Sequence, residues 1–175
     1  MFEDYLEDAH HFTLEAQKHK NEREAKRYFR ASVFYTLASI EAFVNFVGDT
    51  LAQGTKSKIY ETAFLTDKKF GIEEGDFRIL EQVEYHRLED KLRFLLCKFV
   101  PSFDFANNPA WGQFIEFKRF RDDLTHPRKN EDNIEIVEYK RRLTIGLWSV
   151  IQIMNCLCQG IFDKPLRKRL TDLMP

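Results

Sequence analysis

Arg121-Asp122-Asp123-Leu124-Thr125-His126 is followed at once by Pro127, and in this stretch the residue types and their spacing could do chemistry. A guanidinium carries a permanent charge and offers a planar fork of donors to an oxyanion. An imidazole is the side chain that gives or takes a proton near neutral pH. On one continuous helix Arg121 and His126 would diverge by about 140°. A residue before proline is disfavoured in the α region, so the helix is expected to end near Thr125. His126 then begins the turn, free to fold back toward Arg121, and the two side chains can converge on one anion. Asp122, one helical turn before His126, is placed to hydrogen-bond an imidazole nitrogen and hold its tautomer.

A helical wheel adds to this reading. With Phe114 at zero and about 100° per residue, Arg121 falls near −20°, inside the apolar stripe of Trp111, Phe114, Phe117 and Leu124. A guanidinium placed there needs a carboxylate or an anionic ligand. On a wheel centred at Leu37, Glu41 falls near +40°, within the stripe of Leu37, Val44 and Phe34, and Asn45 lies one turn further along. Glu41 is therefore expected to approach Arg121, within one subunit or across a dimer interface. A purely structural ion pair that fixes helix register is the competing reading, and a C-capping histidine packed on a proline turn is the competing reading of His126.

The elements that must position these residues are helical. Seven glycines and five prolines in 175 residues are few, and the apolar positions recur with helical period. Helices are expected over 2–19, 22–53, 76–100, 110–125 and 134–161, with a possible helical turn at 59–65 inside the poorly patterned 55–74 segment and a final turn or two over 166–173. Asn108 should cap the fourth long helix, with Pro109 in its first turn. The expected fold class is all-α: one domain over 1–175, an up-and-down bundle of about five main helices. A chain this long buries roughly 70% of its unfolded surface and needs no covalent staple.

Composition narrows function by exclusion. The formal charge of −1 gives no global pull toward nucleic acid or membrane, so any basic surface must be local. Lys118, Arg119, Arg121, Arg128 and Lys129 supply one around the motif, and Lys140, Arg141 and Arg142 lie early in the following helix. The three cysteines lack zinc spacing and read as reduced core residues of a cytoplasmic protein. No basic-then-apolar leader is visible, and the apolar run 147–157, broken by Ser149, Gln152 and Asn155, is too short to cross a bilayer. Glu7-x-x-His10 has the spacing of carboxylate-bridged metal sites but no second such pair, so no metal and no cofactor is expected. The basic 164–169 segment reads as a solvated terminus, and the seventeen phenylalanines as packing.

The segment 117–127, Phe-Lys-Arg-Phe-Arg-Asp-Asp-Leu-Thr-His-Pro, resembles the R-x4-6-H signature of the HEPN superfamily, in which a polar residue commonly follows the arginine and a proline the histidine. Asp122 and Pro127 match both habits. The segment 38–45, Ala-Ser-Ile-Glu-Ala-Phe-Val-Asn, looks like the helix that carries a further polar residue facing the motif in many members. The resemblance rests on about twenty residues in these two segments, with the Arg/His motif at the end of a penultimate long helix. It implies a metal-independent endoribonuclease whose homodimer joins two motifs in one cleft, acting in phage defence or a toxin–antitoxin system. Arg121 would bind the scissile phosphate, His126 would move protons, Glu41, Asn45 and Asp122 would support them, and Lys118, Arg119, Arg128 and Lys129 would hold RNA. The alternative is a module that binds RNA, a nucleotide or a protein without cutting. In one branch a nucleotidyltransferase-type antitoxin modifies a tyrosine two residues after the histidine. Arg128 stands there in this chain, which puts that regulation in doubt.

Overall fold

The computed structural model describes residues 1–54, 58–126 and 134–173. Among them are seven helices and one two-stranded antiparallel sheet: α1 (Phe2–Lys18), α2 (Glu22–Gln53), α3 (Ile59–Leu65), β1 (Lys68–Glu73), β2 (Asp76–Val83), α4 (Leu88–Phe99), α5 (Pro109–Thr125), α6 (Ile136–Phe162) and α7 (Lys168–Thr171). The protein is mostly helical, as its periodicity predicts. It divides into two compact units, one of residues 1–40 with 102–175, the other of residues 41–101, the boundary falling within α2.

In the first unit α1 and α2 are tied by hydroxyls as well as apolar contacts. Ser32 Oγ donates to the Ala9 carbonyl at 2.7 Å and lies 2.8 Å from Thr13 Oγ1. Both groups are thereby satisfied inside the unit, where an unpaired hydroxyl would be costly. Phe12 packs against Tyr28 and Tyr35. Phe29 of α2 stacks on Tyr139 of α6, ring centroids 5.9 Å apart, and Phe120 of α5 meets the same tyrosine edge-on at 5.6 Å. One aromatic column thus joins three helices. α6 then runs close against α5 because Gly146 has no side chain: a Cβ there would lie 2.2 Å from the Phe117 ring. The basic C-terminal segment is not simply solvated. Arg167 and Arg169 pair with Glu3, and Arg169 also pairs with Glu7, so α7 is held to α1.

The second unit corrects the predicted 76–100 helix. Its first third is β2, paired with β1 in the register Phe70↔Ile79, Gly71↔Arg78, Ile72↔Phe77 and Glu73↔Asp76. The turn is Glu74-Gly75, both at positive φ (52° and 88°), which matches the two-residue type I′ hairpin and its requirement for left-handed backbone. Phe77, Leu80 and Val83 have helical spacing, but Phe77 and Ile79 also alternate, and the turn favours the strand. The unit's charged anchor is Asp67, itself at φ 55°. Its carboxylate accepts from the buried Lys91 ammonium at 2.6 Å and from the His86 backbone N–H at 2.8 Å, fixing the chain before β1 and after β2 to α4. Lys98 of α4 also pairs with Glu61 of α3.

Two further expectations are revised. Cys97, read as a core residue, is exposed on α4, whereas Cys158 is buried; all three thiols are free. α2 and α6 are long and apolar enough to cross a membrane by length and composition, contrary to the reading that no run was long enough. About half of each apolar window, 56% and 50%, is buried inside the protein, as in the core helix of a globular domain.

Candidate functional site

α5 is built to end where the motif needs it to. Asn108 caps its start, its side-chain oxygen accepting from the N–H groups of Ala110 and Trp111 at 3.0 and 3.2 Å, with Pro109 following. Trp111, Phe114, Phe117 and Phe120 bury one face. The last turn closes with the Thr125 hydroxyl donating to the Arg121 carbonyl at 2.8 Å. His126 leaves the helix at φ −125°, ψ 65°, its N–H donating to the Asp122 carbonyl at 2.9 Å. The helix therefore stops after Thr125, and the imidazole stands exposed at its C-terminus.

Arg121 is largely covered, its side chain 26% exposed, with Nε shielded from solvent and 3.3 Å from Asp122 Oδ1. The other Asp122 oxygen accepts from Lys118 Nζ at 3.2 Å. This corrects the expected partner of Asp122. Its carboxylate lies between Lys118 and Arg121, and the aspartate touches His126 through its backbone carbonyl instead. Lys118, one turn before Asp122 on the same helix, is placed to reach its carboxylate, whereas the imidazole has left the helix. What results is a fixed guanidinium with a second ammonium beside it and an exposed imidazole at the helix end. Such a set can hold a phosphate oxygen and move a proton near it.

Arg119 does not join Arg121; the two are about 200° apart on the helix. It lines a groove of about 260 Å³ between α5 and α6 together with Glu116, Asp123, Arg141 and Arg142. There Glu138 holds Arg141 through two hydrogen bonds of 2.8 Å and Arg142 through one of 2.5 Å. These bonds lower the Glu138 carboxyl to about 2. The Arg142 guanidinium also lies 4.5 Å from the Phe120 ring centroid, a cation–π contact. Arg141 and Arg142 thus share one carboxylate, an arrangement that Glu138, at i+3 and i+4 spacing, makes readable in the sequence. Arg128 and Lys129 lie outside the described residues.

Glu41 and Asn45 of α2 are both exposed. The wheel was centred on the wrong residue. Phe29, Val33, Leu37, Ile40, Phe43, Val44 and Val47 are all buried, and their stripe is centred about 60° from Leu37. The buried hydroxyls of Ser32, Thr36 and Ser39 extend that flank, though an apolar count ignores them. Glu41 and Asn45 fall outside that stripe.

Among the described residues no group of three or more His, Cys, Asp and Glu side chains is placed to share a metal ion, and Glu7 of the Glu7/His10 pair is engaged by Arg169. No family model, no curated protein and no solved structure matches this chain.

Proposed function

We propose that the protein is a HEPN-like, metal-independent endoribonuclease in which Arg121 and His126 carry the chemistry. The observation that supports this reading most is the last turn of α5, which holds Arg121 against Asp122 with Lys118 alongside and then releases His126, exposed, at the residue where the helix ends. In the proposed reaction His126 takes the proton of a ribose 2′-hydroxyl, whose oxygen attacks the adjacent phosphorus. Arg121 binds the phosphate oxygens as negative charge builds on them. The bond to the 5′-oxygen breaks and that oxygen takes the proton held by the His126 imidazolium, leaving a 2′,3′-cyclic phosphate and a 5′-hydroxyl. Atoms and charge balance without an external reactant. Lys118 adds a further cation near the phosphate. A homodimer that joins two such sites, an up-and-down arrangement of the long helices, a cytoplasmic location and a role in phage defence or a toxin–antitoxin pair belong to the same proposal through the family resemblance.

The second reading is a binding module that holds RNA or a nucleotide without cutting. It is favoured by one feature: the Asp122 carboxylate serves Lys118 and Arg121 rather than orienting the imidazole. A mixed RNA pool incubated with the protein in excess EDTA separates the two. The enzyme reading expects chelator-resistant cleavage that Arg121→Ala and His126→Ala each abolish. Retention of RNA on the protein with no cleavage products would overturn it in favour of the module.

A further inference from the structure

The outer edge of β1 has a charge pattern that is complementary to itself under a two-fold rotation. Lys68-Lys69-Phe70-Gly71-Ile72-Glu73-Glu74 is basic before Gly71 and acidic after it, with one large apolar residue on each side. The strand is exposed at every position but Gly71, and among the described residues β2 is its sole strand neighbour. Edge strands are commonly protected against pairing by charge or by cover. Here the charges alternate in sign about a centre, which opposes most pairings and favours one.

We propose that β1 pairs antiparallel with β1 of a second copy of this chain about a two-fold axis through Gly71, making a four-stranded sheet in the order β2-β1-β1-β2. The hairpin geometry supplies the hydrogen bonds. In a two-residue type I′ hairpin the flanking pair, here Glu73↔Asp76, bonds across the turn, and bonded pairs alternate from there. Gly71↔Arg78 is then a bonded pair, while Ile72↔Phe77 and Phe70↔Ile79 are not. The backbone N–H and C=O groups of Phe70 and Ile72 therefore point outward.

Centring on Gly71 sets Phe70 opposite Ile72 of the second copy, so those outward groups meet one another. The same register opposes Lys69 to Glu73, twice by symmetry, the last such pair before Glu74 enters the turn. A shift of the centre to Phe70 would set Ile72 against Lys68, and a shift to Ile72 would set Phe70 against Glu74. Charge thus selects the register. Pairing also extends an apolar face that a lone hairpin leaves in water, with Phe70 45%, Ile72 66% and Phe77 62% exposed. Two strands alone are marginal, and three or more with an apolar face are stable. None of this uses Arg121 or His126, so it stands apart from the ribonuclease proposal.

Sedimentation velocity of the full chain, over a dilution series, tests the interface. Lys69→Glu and Glu73→Lys each place like charges opposite one another twice, and each is expected to weaken self-association by about tenfold or more. An equimolar mixture of the two variants restores opposite charges at both contacts and is expected to associate at least as well as wild type. Ile72→Pro removes an outward N–H that β2 does not use and is expected to block association, with far-UV circular dichroism reporting that the helices persist. A wild type that stays monomeric, variants that associate as wild type does, or a mixture no better than either variant alone would overturn the proposal.

Discussion

Gly146 of α6 and Gly112 of α5 make a matched pair of positions at which the same substitution should act in opposite directions. A Cβ at Gly146 would lie 2.2, 2.4 and 2.5 Å from the Cδ2, Cγ and Cε2 atoms of Phe117. Carbon atoms in ordinary contact sit about 3.5–4.0 Å apart, so the ring must retreat by roughly 1.3 Å or more. Phe117 is only 3% exposed and has little room to move, its ring 6.5 Å from that of Phe120. Overpacking of this kind costs about 1–3 kcal/mol, against a gain of up to about 1 kcal/mol from replacing a mid-helix glycine by alanine. Gly146→Ala should therefore destabilise by about 1–2 kcal/mol net, lowering Tm by about 2–8 °C for a chain of this size. At Gly112 a Cβ meets nothing within 4 Å, and Gly112→Ala should stabilise by about 0.5–1 kcal/mol. Urea titration read by circular dichroism gives both, with little change in m if the transition stays two-state. The expected order of midpoints is Gly146→Ala, wild type, Gly112→Ala. A Gly146→Ala protein as stable as wild type would refute the claim that α5 and α6 approach through this glycine.

Three further outcomes follow from the hydrogen-bond network. Asp67→Ala strands the buried Lys91 ammonium, whose side chain is 5% exposed, and should cost about 3–5 kcal/mol. Lys91→Met leaves a carboxylate with more access to water and should cost clearly less, the reverse order in urea melts contradicting the assignment. Asn108→Ala removes the cap of α5 and should lower stability by about 1 kcal/mol, whereas Asn108→Asp should retain most of it. Hydrogen bonds from Arg141 and Arg142 lower the Glu138 carboxyl from 4.5 to about 2. Its contribution is therefore present above the ordinary carboxylate range and lost as pH falls from 4.5 toward 2. Glu138→Gln should flatten the dependence of the urea midpoint on pH in that window and lower the midpoint at neutral pH; an unchanged slope would contradict it.

The helices that carry the candidate site were legible because each has a local signal at its ends. Asn108-Pro109 starts α5 and the proline after His126 accounts for its stop, while the glycine after Gln53 marks the end of α2. The hairpin was not legible as such, because the spacing of Phe77, Leu80 and Val83 satisfies both a helix and, with Ile79, a strand. The deciding feature is the positive φ at Glu74, a conformation to which its residue type gives no clue. The end of α5 that carries Arg121 and His126 was placed correctly, whereas the partner of the Asp122 carboxylate was not. Asp122 chooses between three nearby cationic or titratable groups, a competition settled only by side-chain geometry. The inward face of α2 lies further round from Leu37 than the wheel placed it, because Phe34, counted in the stripe, is 40% exposed whereas the hydroxyls of Ser32, Thr36 and Ser39 are buried.

The chemistry of the product ends tests the central claim most directly. RNA from a mixed pool, incubated with the full chain in EDTA, should be cut to fragments ending in 2′,3′-cyclic phosphate and beginning with 5′-hydroxyl, because the attacking group is the neighbouring 2′-oxygen. The same pool carrying 2′-O-methyl groups should stay intact, and neither Arg121→Ala nor His126→Ala should yield such ends. Fragments with 3′-hydroxyl and 5′-phosphate ends, or cyclic-phosphate ends that persist undiminished in His126→Ala, would contradict the assignment of Arg121 and His126 as the reacting pair.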